Sequence, residues 1–171
     1  DQAYTLKNIR TGENKIKVII YNNAKETVLN KNITIFSKNL PKLYSYKIIN
    51  EFPHDQEAYT QGLEFDGNEL YESTGLNGKS SLRKISFKNG EIKKNVPLNQ
   101  SYFGEGLTII NNKIIQLTWK SKIGFVYDKT TMDLKSSFQY KESTEGWGLC
   151  NDGEFLYKSD GTNKIWKLDP N

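Results

Sequence analysis

A fifteen-residue pattern recurs three times without a gap along this chain, and it constrains the fold more than any other feature. The windows run from Gln61 to Gly75, from Glu105 to Trp119 and from Trp147 to Gly161. Each places a Gly-Leu pair directly after its first residue, and Gly62, Gly106 and Gly148 lie 44 and 42 residues apart. Each also holds a central turn signal (Asp66-Gly67, Asn111-Asn112, Asp152-Gly153) followed by an apolar pair (Leu70-Tyr71, Ile114-Ile115, Leu156-Tyr157). Short runs rich in β-branched and aromatic residues around such turns predict β-hairpins.

A second hairpin is predicted between windows. Leu82 to Ile85 leads through Asn89-Gly90 to Ile92 and Val96, and Gly124 to Tyr127 leads through residues 128–131 to Leu134 and Phe138. Two hairpins per repeat make a four-stranded unit of the length of a β-propeller blade. No helical periodicity competes. Residues 44–171 are therefore expected to form about three four-stranded blades, part of a propeller ring. Residues 1–43 read differently: Ile16 to Tyr21, a turn at Asn22-Asn23, then Thr27 to Phe36 with Val28, Ile33 and Ile35, ended by Pro41. Two or three strands alone are marginal, so this segment is expected to be the trailing part of a β-sandwich-like domain, with a β-arm on the propeller as the alternative.

Composition removes several chemistries. A single Cys (Cys150) excludes an intramolecular disulfide, and a single His (His54) leaves no Cys/His zinc cluster and makes a His-dependent triad improbable. The net charge is +4, but 22 of the 24 basic residues are Lys spread along the chain. Only Arg10 and Arg83 are able to grip phosphate or guanine bidentately, so no nucleic-acid partner is expected. No apolar run is long enough for a transmembrane segment.

Blades are arranged about an axis, so equivalent positions converge near the channel. The open ends of the three windows pair Gln61 with Gly75, Glu105 with Trp119, and Trp147 with Gly161. These positions vary while the Gly-Leu frame repeats, as expected of a site grafted on a scaffold. Glu105, between Gly104 and Gly106 and near Trp119, would be partly desolvated, which raises a carboxyl pKa toward the range useful for proton transfer. Gln61 offers an amide, and Trp119 and Trp147 an apolar wall. Structural roles remain open on spacing alone: Glu105 as an acceptor for loop amides, both tryptophans as core, Gln61 as packing. Asp160 reads as a turn former and as the reserve for a second carboxylate. Arg83 is expected to pair with a carboxylate or carbonyls, Cys150 to be a strand thiol, and His54 a loop or packing residue.

Seven motifs then occur in order: Tyr59-Thr60-Gln61-Gly62-Leu63, Tyr71-Glu72-Ser73-Thr74-Gly75, Ser80-Ser81-Leu82-Arg83, Phe103-Gly104-Glu105-Gly106-Leu107-Thr108, Gln116-Leu117-Thr118-Trp119, Glu145-Gly146-Trp147-Gly148-Leu149 and Ser159-Asp160-Gly161-Thr162. Together they resemble the glutaminyl-peptide cyclotransferases of the plant and bacterial type, which are five-bladed propellers. The resemblance implies conversion of N-terminal glutamine of peptides, or free glutamine, to pyroglutamate with loss of ammonia, with no metal or other cofactor. Carried over by motif, the acid/base glutamate falls on Glu105, the substrate-contacting glutamine on Gln61, and the pocket tryptophans on Trp119 and Trp147. Members of the family also line the site from further blades, so the residues here are expected to supply part of a pocket. Export to a periplasmic, extracellular or membrane-anchored location is implied by resemblance only. Two other readings stay in play: a non-catalytic propeller that binds a peptide terminus, and a calcium-dependent propeller hydrolase, for which one clear carboxylate on the rim is a thin ligand set.

Overall fold

The computed structural model describes residues 3–23 and 25–171, and the chain divides into two compact units, Asp1–Ile48 and Ile49–Asn171. No helix forms among the described residues. In the first unit, β1 (Gly12–Asn22) and β2 (Lys25–Ile35) form one antiparallel hairpin, paired continuously from Gly12↔Ile35 to Asn22↔Lys25. Asn23 takes a positive φ of 53° in the turn, a conformation Asn tolerates better than most residues. Val18, Tyr21, Val28 and Leu29 are exposed on this hairpin.

The second unit is built of three antiparallel sheets that follow the repeat. The first blade has β3 (Thr60–Asp66), β4 (Glu69–Thr74), β5 (Ser81–Ser86) and β6 (Glu91–Pro97), each paired with the next. The second has β7 (Gly104–Ile110), β8 (Lys113–Thr118), β9 (Ile123–Asp128) and β10 (Leu134–Gln139) in the same order. The third holds three strands, β11 (Leu149–Asn151), β12 (Leu156–Ser159) and β13 (Ile165–Leu168), where four were expected.

The blades pack face to face, with β7 of the second blade contacting both β3 and β11. Between the first two blades lie Tyr71, Leu82, Leu107, Ile109, Ile114, Phe125, Tyr127 and Met132; between the second and third lie Ile110, Ile115 and Leu156, with Val126, Phe138, Leu149 and Leu168 against them. Full burial of a side chain such as Leu82 or Ile114 contributes about 1.5–3 kcal/mol. Polar links run between the same blades. The carboxylate of Glu64 accepts from the Thr108 hydroxyl at 2.7 Å and the Ile109 N–H at 3.0 Å, and Asn151 Nδ2 donates to Thr108 Oγ1 at 2.7 Å and the Ile109 carbonyl at 3.0 Å.

This packing accounts for the repeating glycine. A Cβ on Gly62 would sit 2.7 Å from the Leu107 backbone nitrogen and 3.2 Å from Gly106 Cα; one on Gly106 would sit 2.4 Å from the Trp147 carbonyl oxygen. The Gly106 N–H donates to that carbonyl at 2.9 Å. The innermost strands therefore meet backbone to backbone, and only a residue without a side chain fits between them.

Candidate active site

The open ends of the inner hairpins are irregular where plain hairpins were expected. In β3 the register passes from Thr60↔Thr74 to Gly62↔Ser73, so Gln61 is an extra residue in its strand. In β7 it passes from Gly104↔Thr118 to Leu107↔Gln116, so Glu105 and Gly106 share a bulge. In the third blade the Trp147 N–H donates to the Ser159 carbonyl, and the Ser159 N–H donates to the carbonyl of Gly148. Such bulges turn side chains out of the pleat and recur beside functional sites. Period-two alternation cannot show them.

An aromatic series follows these ends. Tyr59 packs edge-on to Phe103 with centroids 6.1 Å apart, and Phe103 packs on Trp119 at 5.5 Å. Gly75 leaves room for Phe103 and Gln61, since a Cβ there would lie 2.5 Å from the Phe103 ring and 3.1 Å from Gln61 Cγ. Gly161 does the same for Trp147, whose indole would lie 2.7 Å from an added Cβ. These glycines thus seat the neighbouring side chains, but the bulges set Gly75 and Trp119 across from Tyr59 and Phe103, to whose carbonyls their N–H groups donate at 2.7 and 3.0 Å, and not across from Gln61 and Glu105 as expected.

The indoles of Trp119 and Trp147 converge on a residue that the repeat comparison missed. Trp119 Nε1–H donates to Glu145 Oε2 at 2.6 Å, and Trp147 Nε1–H donates to the same oxygen at 2.8 Å. The bond from Trp147 first, then that from Trp119, then the charge of Lys120, hold the Glu145 carboxyl below its ordinary value, against some desolvation. The Lys120 ammonium sits 4.0 Å from the Trp119 ring centroid. A signal for Glu145 was present in the sequence: it lies three residues before Gly148, a slot that Tyr59 and Phe103 fill with aromatic rings in the other blades.

Glu105 stands in the opposite electrostatic condition. Burial, and then repulsion from the Glu145 charge, raise its carboxyl from 4.5 to about 7, and no hydrogen bond to the carboxylate offsets them among the described residues. The site therefore holds two carboxyl groups whose environments drive their proton affinities apart, the arrangement that divides acid/base work from charge stabilisation.

Asp160, the reserve for a second carboxylate, is buried and fully engaged. It accepts from the Ser143 hydroxyl (2.9 Å), the Thr144 N–H (3.4 Å), the Thr162 N–H (3.2 Å) and hydroxyl (2.6 Å), and Trp166 Nε1–H (2.7 Å). The Thr162 hydroxyl and then the other donors hold it far below the ordinary carboxylate range. Its reach of Thr162 two residues on is the expected turn geometry. Buried Lys158 lies beside it, donating to Ser143 Oγ and the Glu145 carbonyl, with its ammonium 4.3 Å from the Tyr140 ring centroid. Tyr140 in turn accepts from the Thr118 N–H at 2.8 Å and lies 2.9 Å from the Thr118 and Ile123 carbonyls. In the first blade Arg83 pairs with Asp55 at 2.9 Å, and His54 Nε2 lies 2.8 Å from Glu72. Cys150 is an exposed thiol on β11.

A family model described as glutamine cyclotransferase matches residues 18–171. A glutaminyl-peptide cyclotransferase of Arabidopsis thaliana is 40% identical over 130 residues, covering 75% of this chain and 40% of that protein. The crystal structure of Myxococcus xanthus glutaminyl cyclase matches with a TM-score of 0.64 at 32% identity, over 72% of this chain and 51% of that one. The crystal structure of RRP9 WD40 repeats matches at a TM-score of 0.52 and 15% identity over 69% of this chain and 38% of that one, a likeness of fold alone. The chain spans about half the length, or less, of the two cyclase relatives.

Proposed function

The chain belongs to the glutamine cyclotransferase family, and from that premise we propose that its rim converts N-terminal glutamine of a peptide, or free glutamine, to pyroglutamate with release of ammonia. The observation that carries the reading is Glu105. A carboxyl raised to about 7 is half ionised near neutral pH, where a group that must both take and return a proton works best.

The reaction closes a five-membered lactam. The α-amine attacks the γ-carboxamide carbon of the same residue, so the two reactants are already tethered and the pocket has only to fold the side chain back. Glu105 takes a proton from the α-ammonium, freeing the lone pair that forms the new N–C bond. As the old C–N bond breaks, Glu105 gives that proton to the departing nitrogen and takes the second proton of the attacking nitrogen in its place, which it returns to solvent once the lactam is formed. Ammonia leaves and one hydrogen stays on the lactam nitrogen. Gln61 orients the substrate by hydrogen bonding, and Trp119 and Trp147 exclude water and hold the aliphatic part. Glu105 is the catalytic residue of this scheme, and no metal or other cofactor enters it.

Two further readings rest on sequence and resemblance. Residues 1–43 are read as trailing strands of a β-sandwich-like domain that precedes the propeller residues 44–171 in the chain, and the protein as exported; cell fractionation tests the latter. The activity is tested by incubating the full-length protein with a Gln-initiated peptide and weighing the product. Loss of the mass of one ammonia, absent from an Asn-initiated control, is expected. A peptide recovered intact would turn the reading to a non-catalytic binding propeller.

A further inference from the structure

We propose that Glu145 is a positioning residue for the cyclisation: one carboxylate oxygen ties the indoles of Trp119 and Trp147 into a single wall and holds a negative charge within electrostatic reach of Glu105. The proposal rests on the function above and assigns a role to a residue outside its catalytic scheme.

The two tryptophans belong to different blades. Trp119 follows β8 of the second blade, whereas Trp147 precedes β11 of the third. Both donate to Glu145 Oε2, at 2.6 and 2.8 Å. Bonds from N–H donors to an ionised acceptor are roughly twice as strong as neutral ones, so the pair is worth more than packing of two rings alone. The residue that makes the tie is itself pinned through its backbone. Its carbonyl accepts from Lys158 Nζ and, at 3.1 Å, from the Ser143 hydroxyl, while the following Gly146 N–H donates to the Trp119 carbonyl at 3.0 Å. Asp160 holds Ser143 and Thr144 from the other side. With the main chain fixed at residues 143–146, the carboxylate is left to meet the two indoles.

The same charge acts on Glu105. The charged and titratable groups around the two carboxylates come from several elements: Lys120 from the segment between β8 and β9 and Asp160 from the turn after β12 act on Glu145, buried Lys158 of β12 donates to the Glu145 carbonyl, and the Tyr140 hydroxyl after β10 is coupled to Glu105. Glu145 is the charge that bears on Glu105 after burial itself. Removing it therefore moves the titration of Glu105 downward, while removing the acceptor loosens the wall.

Two substitutions separate these effects in the full-length protein. Glu145→Gln keeps an acceptor oxygen and drops the charge; the acid limb of the kcat/KM pH profile is expected to move to lower pH by several tenths of a unit, with KM within about twofold of wild type. Glu145→Ala drops both, and the same shift is expected with KM raised about tenfold. A folded Gln variant with the wild-type acid limb, or a folded Ala variant with wild-type KM, overturns the proposal. A readout independent of variants is the 15N-indole spectrum of the wild-type protein, titrated from neutral to acid pH and assigned with Trp119→Phe and Trp147→Phe. The Nε1–H signals of Trp119 and Trp147 should move together at one acid midpoint; separate midpoints overturn the tie. If wild type shows no cyclisation at all, the function reading fails, and the indole titration still decides whether Glu145 joins the two rings.

Discussion

Replacing Glu105 by Gln should stop the chemistry and stabilise the fold, two effects with one physical origin. The carboxyl is raised from 4.5 to about 7. Each pKa unit is worth about 1.4 kcal/mol of differential interaction, which sets a ceiling of roughly 3 kcal/mol on the cost of holding Glu105 ionised in the folded state. The side chain is only half-buried, so solvent screening reduces this to about 1–1.5 kcal/mol. The sign follows from linkage. Between pH 4.5 and about 7 the folded protein retains a proton that the unfolded chain has released, so stability falls as pH rises through that window and the penalty is complete above it. Below pH 4.5 both states are protonated and the penalty vanishes. Glutamine cannot ionise and escapes it. Thermal unfolding of wild type and Glu105→Gln from pH 4 to 8 should give curves that meet at the acid end and separate by about 2–4 °C near neutrality, the variant higher. Turnover of a Gln-initiated peptide should fall at least about a hundredfold in the same variant. A variant whose melting temperature tracks wild type at every pH, or lies below it near neutrality, refutes the desolvation argument; wild-type turnover refutes the catalytic one.

Four other perturbations have defined outcomes. Gly106→Ala places a Cβ 2.4 Å from a backbone carbonyl of the next blade, and a loss of about 3 kcal/mol or more is expected in denaturant unfolding. Gly75→Ala drives a methyl into the Phe103 ring and against Gln61, so KM should rise about tenfold with the far-ultraviolet circular dichroism unchanged. Asp160→Ala strips the acceptor from five donors and leaves Lys158 buried beside an empty place; about 3 kcal/mol should be lost. Because the folded-state pKa of Asp160 is depressed, its contribution is present above the ordinary 3.8 and is lost as pH falls, so the variant and wild type should converge in strong acid. Dialysis against a chelator should leave peptide cyclisation unchanged, as measured by mass spectrometry, since the scheme routes no step through a metal.

The inner hairpins were legible because their determinants are local. Asp66-Gly67 and Asp152-Gly153 place glycines with φ of 61° and 91° where tight turns need them, and β-branched pairs such as Ile114-Ile115 suit a pleated surface. Gln61, Glu105, Trp119 and Trp147 were singled out by asking where a repeated frame stops repeating. Glu145 escaped because it lies just outside the fifteen-residue windows, in a slot whose other occupants are Tyr59 and Phe103. The bulges at Gln61 and Glu105 escaped as well, since one added residue changes the direction of a side chain without changing the composition of its strand.

By itself, the sequence determined the inner hairpins and their 42–44-residue spacing, because turn chemistry and alternation are written residue by residue. Only the tertiary structure decided which carboxyl keeps its proton. Glu105 and Glu145 are forty residues apart in the chain, and their opposite shifts depend on burial, two indole N–H groups from different blades and the lysine beside one of them. Desolvation and Coulomb terms act through space, so the acid/base character of the rim exists only once the blades have packed.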